Sequence, residues 1–199
     1  VVRAALPALP CGATVGLYFE ARNLAGEATR LPEGAPAALL TTLVANDEVT
    51  SFSDDFQTDQ GWTVENGTGL IDGGWTRGAP AGYGDRGDPV ADADGSGSCW
   101  LTDNVPGNSD VDGGPTTLIS PSMTVGGADH ELVYARWFYD GDFENQLDDF
   151  LLVEISGDDG ATWSVLENYQ PPAAPGGGWE FVSFPISSLP LPEIPTELR

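Results

Sequence analysis

The chain has 199 residues, among them 26 glycines, 16 prolines and six tryptophans, and 40% of it is apolar. That is material for one or two domains with a core. Thirty-one carboxylates face seven arginines and no lysine, a net charge of −24. This balance excludes nucleic-acid binding, which needs a basic patch to neutralise phosphates, and it argues against anionic membrane surfaces. No apolar run approaches the ~18 residues of a membrane helix. The single histidine, His130, reads as a surface residue at a strand start, so most histidine-based catalysis is excluded.

The chain opens on Val1-Val2 without a signal-peptide pattern and closes on Glu197-Leu198-Arg199, which reads as the opening of a strand. An internal piece of a longer protein is expected. Thr14 to Ala21 and Leu39 to Val44 read as strands around a turn-rich stretch, Asn23 to Pro36. A two-stranded hairpin is marginal alone, so residues 1–48 are expected to be the last part of an upstream β-sandwich. Twenty-six of the thirty-one carboxylates lie beyond residue 50. This shift sets a boundary near Ala45 to Glu48 and a second module over 49–199.

The second module carries short strand candidates with turn signals between them, the all-β pattern. Thr116 to Ser120, Leu132 to Tyr139, Phe150 to Ile155, Trp163 to Leu166 and Trp179 to Ile186 read as strands. Alternation makes Leu151, Val153 and Ile155 one core face, and Val182, Phe184 and Ile186 another. Trp163 and Trp179 are expected in the core. Pro171 to Gly178 reads as a loop, and the three prolines between Leu189 and Pro195 exclude a central strand. No stretch of ten residues has a helical period. Gly67 to Pro115 is long and rich in Gly and Asp, and a structureless segment of that length needs something to order it.

Four motifs carry candidate chemistry. Ser156-Gly157-Asp158-Asp159-Gly160-Ala161-Thr162-Trp163 matches the Asp-box pattern, S-x-D-x-G-x-T-W. Asp158 can accept backbone N–H bonds across the turn, Gly160 can take a positive φ, and Trp163 can pack back under the hairpin. Ser156, Asp158, Gly160, Thr162 and Trp163 are therefore expected to form a structural turn. One copy without an internal repeat argues against a propeller of such hairpins.

Asp92-Ala93-Asp94-Gly95-Ser96-Gly97 fits the opening of a calcium loop, with Asp103 at the twelfth position. Ca²⁺ takes six to eight oxygens, and alternate side chains in a tight Gly-bearing loop converge on one point. Asp110-Val111-Asp112 again sets two carboxylates two apart and could complete the same site. The candidate metal set is Asp92, Asp94, Ser96, Asp103, Asp110 and Asp112, the alternative being solvated acidic turns. Asp54-Asp55 and Asp148-Asp149 read as turn or cap residues. Trp75, Tyr83 and Trp100, beside or within the Gly-rich region, are candidate sugar-stacking rings, the alternative being half-buried staples. Cys11 and Cys99 are either one disulfide or two thiols; their spacing carries no metal or redox signal. No glycosidase carboxylate pair is recognisable, so a catalytic role is not expected.

Ser53-Asp54-Asp55-Phe56 through Gly61-Trp62, Asp94-Gly95-Ser96-Gly97 with Cys99-Trp100-Leu101-Thr102, Asp110 to Gly114 with Leu118-Ile119-Ser120-Pro121, and Asp149 to Trp163 together resemble the jelly-roll modules of large secreted bacterial proteins. These are the MAM-like and cleaved-adhesin-like domains. The resemblance covers roughly residues 51–186. Pro10-Cys11-Gly12 and Tyr18-Phe19-Glu20-Ala21 are similar to the end of the Ig/fibronectin-like modules that often precede them. The resemblance implies an all-β antiparallel two-sheet jelly-roll sandwich, often with bound Ca²⁺, outside the cell or on its surface. It implies adhesion or targeting to glycans or protein surfaces beside neighbouring domains of the same chain. The alternative is a structural spacer of a secreted peptidase. Family members continue past a segment like Glu197 to Arg199 into closing strands with a late Asp, so an ion site using that Asp would be incomplete here and a sheet edge open.

Overall fold

The computed structural model describes residues 8–45, 49–82, 84, 87–107, 111–139, 149–170 and 177–199. The chain divides into two units, Val1–Thr50 and Ser51–Arg199. Both consist of antiparallel strand pairs, and among the described residues the one helical element is a 3₁₀ turn, Ile186–Ser188. The protein is all-β.

In the first unit β1 (Thr14–Leu17) pairs with β4 (Leu40–Leu43), and β2 (Phe19–Arg22) with β3 (Ala28–Leu31). The turn-rich reading of residues 23–36 missed β3. Its register is set by the Asn23 turn, where the side-chain oxygen of Asn23 accepts the N–H groups of Ala25 and Glu27, each at 3.0 Å. Gly26 supplies the positive φ that closes the turn. β2 and β3 are exposed along their whole length. They are tied on the surface by Glu20, which accepts from Arg22 and Arg30.

In the second unit β5 (Thr63–Asn66) pairs with β8 (Thr116–Ile119), and β6 (Trp75–Gly78) with β7 (Cys99–Thr102). β9 (Met123–Thr124) pairs with β14 (Glu197–Leu198), β10 (Glu131–Trp137) with β13 (Trp179–Pro185), and β11 (Leu151–Ile155) with β12 (Ser164–Tyr169). The Gly-rich stretch thus contains a strand pair of its own, too short to be read through the glycines around it. The strand expected from Glu197 is β14.

β10 and β13 face β12 across a shared inner layer, a sandwich-like arrangement. Alternation sends Leu132, Tyr134 and Arg136 to one side of β10, and there Tyr134 and Arg136 meet Glu167 of β12. β12 contains a bulge. Val153 pairs with Glu167 but Glu154 with Val165, so Leu166 is the extra residue. A bulge inverts which side chains face inward beyond it. Leu166 packs on the apolar core, and Glu167 and Tyr169 also turn inward.

The core is formed by Ile155, Ile186, Leu189 and Leu198, all buried, with Met123, Val125, Leu132, Leu166, Phe184 and Leu191 packed around them. Ile155 and Ile186 are the ends of the two expected core faces, and the rest of those faces is half-buried. The 3₁₀ turn and the proline-rich stretch after it lay Leu189 and Leu191 over this cluster. Trp163 is not a core residue, being 41% exposed. Trp179 is half-buried, on the face of β13 opposite Val182 and Phe184.

Candidate functional site

The Gly/Asp-rich stretch is held down by side chains from the strands around it. Trp137 in β10 donates its indole N–H to Gly87 O at 2.7 Å, and Trp179 in β13 donates to Ala91 O at 2.8 Å. The two rings meet edge to face at 5.6 Å. Asn104 clamps the other side, accepting Ala81 N–H and donating to Ala79 O, both at 2.8 Å. Gly177 must be glycine here: its φ is +68° and a Cβ would lie 2.7 Å from Gly87 O. The sequence asks what orders this loop, and indole and amide clamps are part of the answer.

At the far end of the clamped segment, Asp92, Asp94 and Ser96 gather in one turn. Asp92 accepts from Ser96 Oγ at 3.0 Å and from Gly97 N–H at 2.8 Å, and Asp94 accepts from Ser96 N–H at 2.8 Å. Ser96 also reaches Asp55 O at 3.0 Å, and Gln57 donates to Ser96 Oγ at 3.2 Å, tying the turn to the start of the unit. The Gly97 N–H above all, with the Ser96 hydroxyl, holds the Asp92 carboxyl below its usual range. Behind the turn lies the buried Cys99, whose thiol is pushed up to about 11 by burial and by the charges of Asp92 and Asp94.

Asp103 and Asp112 occupy two other backbone positions. Asp103 follows β7 with a positive φ of 38° and donates its N–H to Gly74 O. Asp112 bridges to Asp72 and accepts Ile71 N–H at 2.8 Å. Asp110 lies outside the described residues, as do Tyr83 and Asp148. Among the described residues no three His, Cys, Asp or Glu side chains gather as a metal centre would need.

Trp75 and Trp100 share one face of the β6–β7 pair, flanking Arg77, and all three are half-buried. Trp75 donates its indole N–H to Thr116 O at 3.2 Å, and Arg77 donates to Phe56 O at 2.8 Å. Asp54 forms a turn, accepting Phe56 N–H and the Trp62 indole N–H, both at 2.8 Å. Cys11 is exposed in the first unit, and both cysteines are free thiols.

The Asp-box is a closed hydrogen-bonded turn. Asp158 accepts from Ser156 Oγ at 2.7 Å, Thr162 N–H at 2.8 Å and Thr162 Oγ1 at 2.7 Å. Those two Thr162 donors first, and Ser156 after them, hold its carboxyl below the usual range. The stabilisation is present above the carboxyl's unfolded value and is lost as pH falls through the lowered folded one. Gly160 has φ +87°, and a Cβ there would lie 3.4 Å from the Trp163 ring. Ser156 is fully buried and accepts Gly160 N–H at 2.8 Å. Its backbone exchanges two hydrogen bonds with Arg199, at 3.0 and 3.1 Å. Ser156→Ala leaves the Gly160 donor without its acceptor. A loss of about 1–3 kcal/mol in unfolding free energy is expected, read by urea denaturation.

A second polar cluster carries no motif. Arg136 pairs with Glu167 at 2.7 Å and with Glu180, and its guanidinium lies 3.6 Å from the centre of the Tyr169 ring. Tyr134 donates to Glu167 at 2.8 Å, and burial together with that bond raises its pKa. Burial alone would lower the Arg136 pKa, but pairing with Glu167 and the neighbouring groups outweighs it. The only sequence trace of this cluster is an arginine inside a strong apolar strand.

The chain matches no protein-family model, no curated protein and no solved structure at a significant level.

Proposed function

We propose that this chain is a non-catalytic, calcium-stabilised binding module of a secreted or cell-surface bacterial protein. Its second unit would be a module of the jelly-roll sandwich type, and its first unit would be the end of an Ig/fibronectin-like module. The observation that carries the reading is the Asp92–Asp94–Ser96 turn. Two carboxylates are gathered there on the same Ser96, at the end of a loop clamped to the sheets. An ion at this turn would rest on Asp92 and Asp94, with the Asp55 carbonyl, the Ser96 hydroxyl and water making up the six to eight oxygens Ca²⁺ takes. It would relieve like-charge repulsion in a chain of net charge −24.

Thermal unfolding in EDTA and then in millimolar Ca²⁺ tests this. Binding to the folded state alone stabilises by about 2.7 kcal/mol at a hundredfold excess over Kd. A rise of several degrees is expected, abolished in the Asp92→Ala/Asp94→Ala variant. An unchanged midpoint in folded protein would make the turn a solvated one, and the structural spacer of a secreted peptidase would then be the better reading.

A further inference from the structure

The end of the inner layer where β10 and β12 finish and β13 begins is open as a cleft of about 370 Å³. That volume is at the low end of ligand pockets. Arg136, Phe138, Tyr169 and Glu180 line it with Gly177 to Trp179, which lead into β13, and of the two glycines there only at Gly178 would an added Cβ meet open space. We infer that this cleft binds a neutral oligosaccharide. The inference rests on the binding-module reading but not on the calcium turn.

The walls are aromatic and preset. Phe138 meets Tyr169 edge to face at 5.7 Å. Fixed rings give contact area at little ordering cost. The polar side of the cleft is also oriented beforehand. Glu180 accepts from Arg136 and from the Tyr169 hydroxyl, yet its side chain is 52% exposed. A carboxylate held in that way offers spare lone pairs to hydroxyl donors.

Charge decides among ligand classes. Arg136 is already shared between Glu167 and Glu180, so the site holds no surplus positive charge for a carboxylate or phosphate. A chain at −24 repels anions as well. Ammonium groups are disfavoured for the opposite reason. Arg136 already occupies the Tyr169 face where a cation would sit. An uncharged ligand with apolar ring faces and many hydroxyls meets all of these conditions.

The test is calorimetric titration of the full chain, in Ca²⁺, with neutral hexasaccharides of glucan, xylan, mannan and chitin types, beside a sialylated and a phosphorylated glycan. At least one neutral hexasaccharide is expected to bind, and neither anionic glycan. Phe138→Ala is expected to weaken binding by about thirtyfold or more, the loss typical of truncating an aromatic anchor. Because Phe138 also packs on Tyr169, Gly178→Leu is the second variant. A Cβ at Gly178 has nothing within 4 Å, so a side chain there fills the cleft while the melting temperature stays put, and binding should vanish. The inference is overturned if no neutral hexasaccharide binds, if only the anionic glycans bind, or if binding survives Gly178→Leu. A calcium-dependent melting shift in the same protein would leave the module reading standing in any of these cases.

Discussion

Replacing Arg136 with alanine is expected to lower the unfolding free energy by about 3–5 kcal/mol, the cost of breaking a buried ion pair from one side. Only 10% of the Arg136 side chain and 16% of that of Glu167 are exposed. When the guanidinium goes, Glu167 keeps the Tyr134 hydroxyl as its polar partner among the described residues. The face of Tyr169 is uncovered by the same change. Glu180 suffers less, because it is half exposed. The loss therefore falls on the Arg136–Glu167 side of the cluster. At about 2–4 °C per kcal/mol for a unit of this size, the melting midpoint should drop by roughly 6–20 °C. The double variant Arg136→Met/Glu167→Leu should recover most of that, since removing both charges removes the desolvation cost as well. A single-variant loss under about 1 kcal/mol would mean that solvent screens the pair, and the cluster would then be a surface network.

That cluster also marks the limit of what the sequence discloses. Simple alternation from Ser164 and Leu166 would send Asn168 inward and leave Glu167 and Tyr169 outside. The bulge at Leu166 reverses this. A bulge depends on how β12 pairs with β11, which no window of β12 contains. The Asp-box is the opposite case. Its hydrogen bonds close between residues at most four apart, so the local pattern carries the whole geometry. The Asp92 turn is local too, and its Asp92, Asp94 and Ser96 come together as their spacing implies. Asp103 and Asp112 are placed by strand ends and a bridge to Asp72, which are long-range facts.

The tryptophans show the same division. Composition supplies six large rings but not where their N–H groups point. Trp137 and Trp179 act on carbonyls 50 and 88 residues away. This is how a stretch dense in Gly and Asp acquires order without a core of its own. Trp179 reads as a core residue because it begins an apolar strand, but it occupies the face away from the main cluster, against the loop. The cleft is built from three strand ends, so no single motif could have announced it.

Leu198→Ala should cost about 2–5 kcal/mol, the usual loss for a buried leucine, although the residue is one from the end of the described chain. Terminal residues ordinarily fray, and truncating a frayed side chain changes little. Leu198 is instead 3% exposed and packs with Ile155, Ile186 and Leu189. Its backbone pairs with Met123, and both neighbouring segments are tied down. Val125 N–H donates to Thr196 O at 2.8 Å, Arg199 exchanges two bonds with Ser156, and its side chain reaches Ser120 O at 3.1 Å. The last residues therefore connect the core, the Asp-box and the β8–β9 junction. Leu152→Ala is the control. That side chain is 42% exposed, and the change should stay within about 0.5 kcal/mol, as for most surface substitutions. Equilibrium denaturation of the two variants decides the matter. Similar small losses would mean that the end frays and the core closes without it. A gap of 2 kcal/mol or more would make β14 a structural part of the second unit, and Ser156→Ala should then also weaken the hold on Arg199.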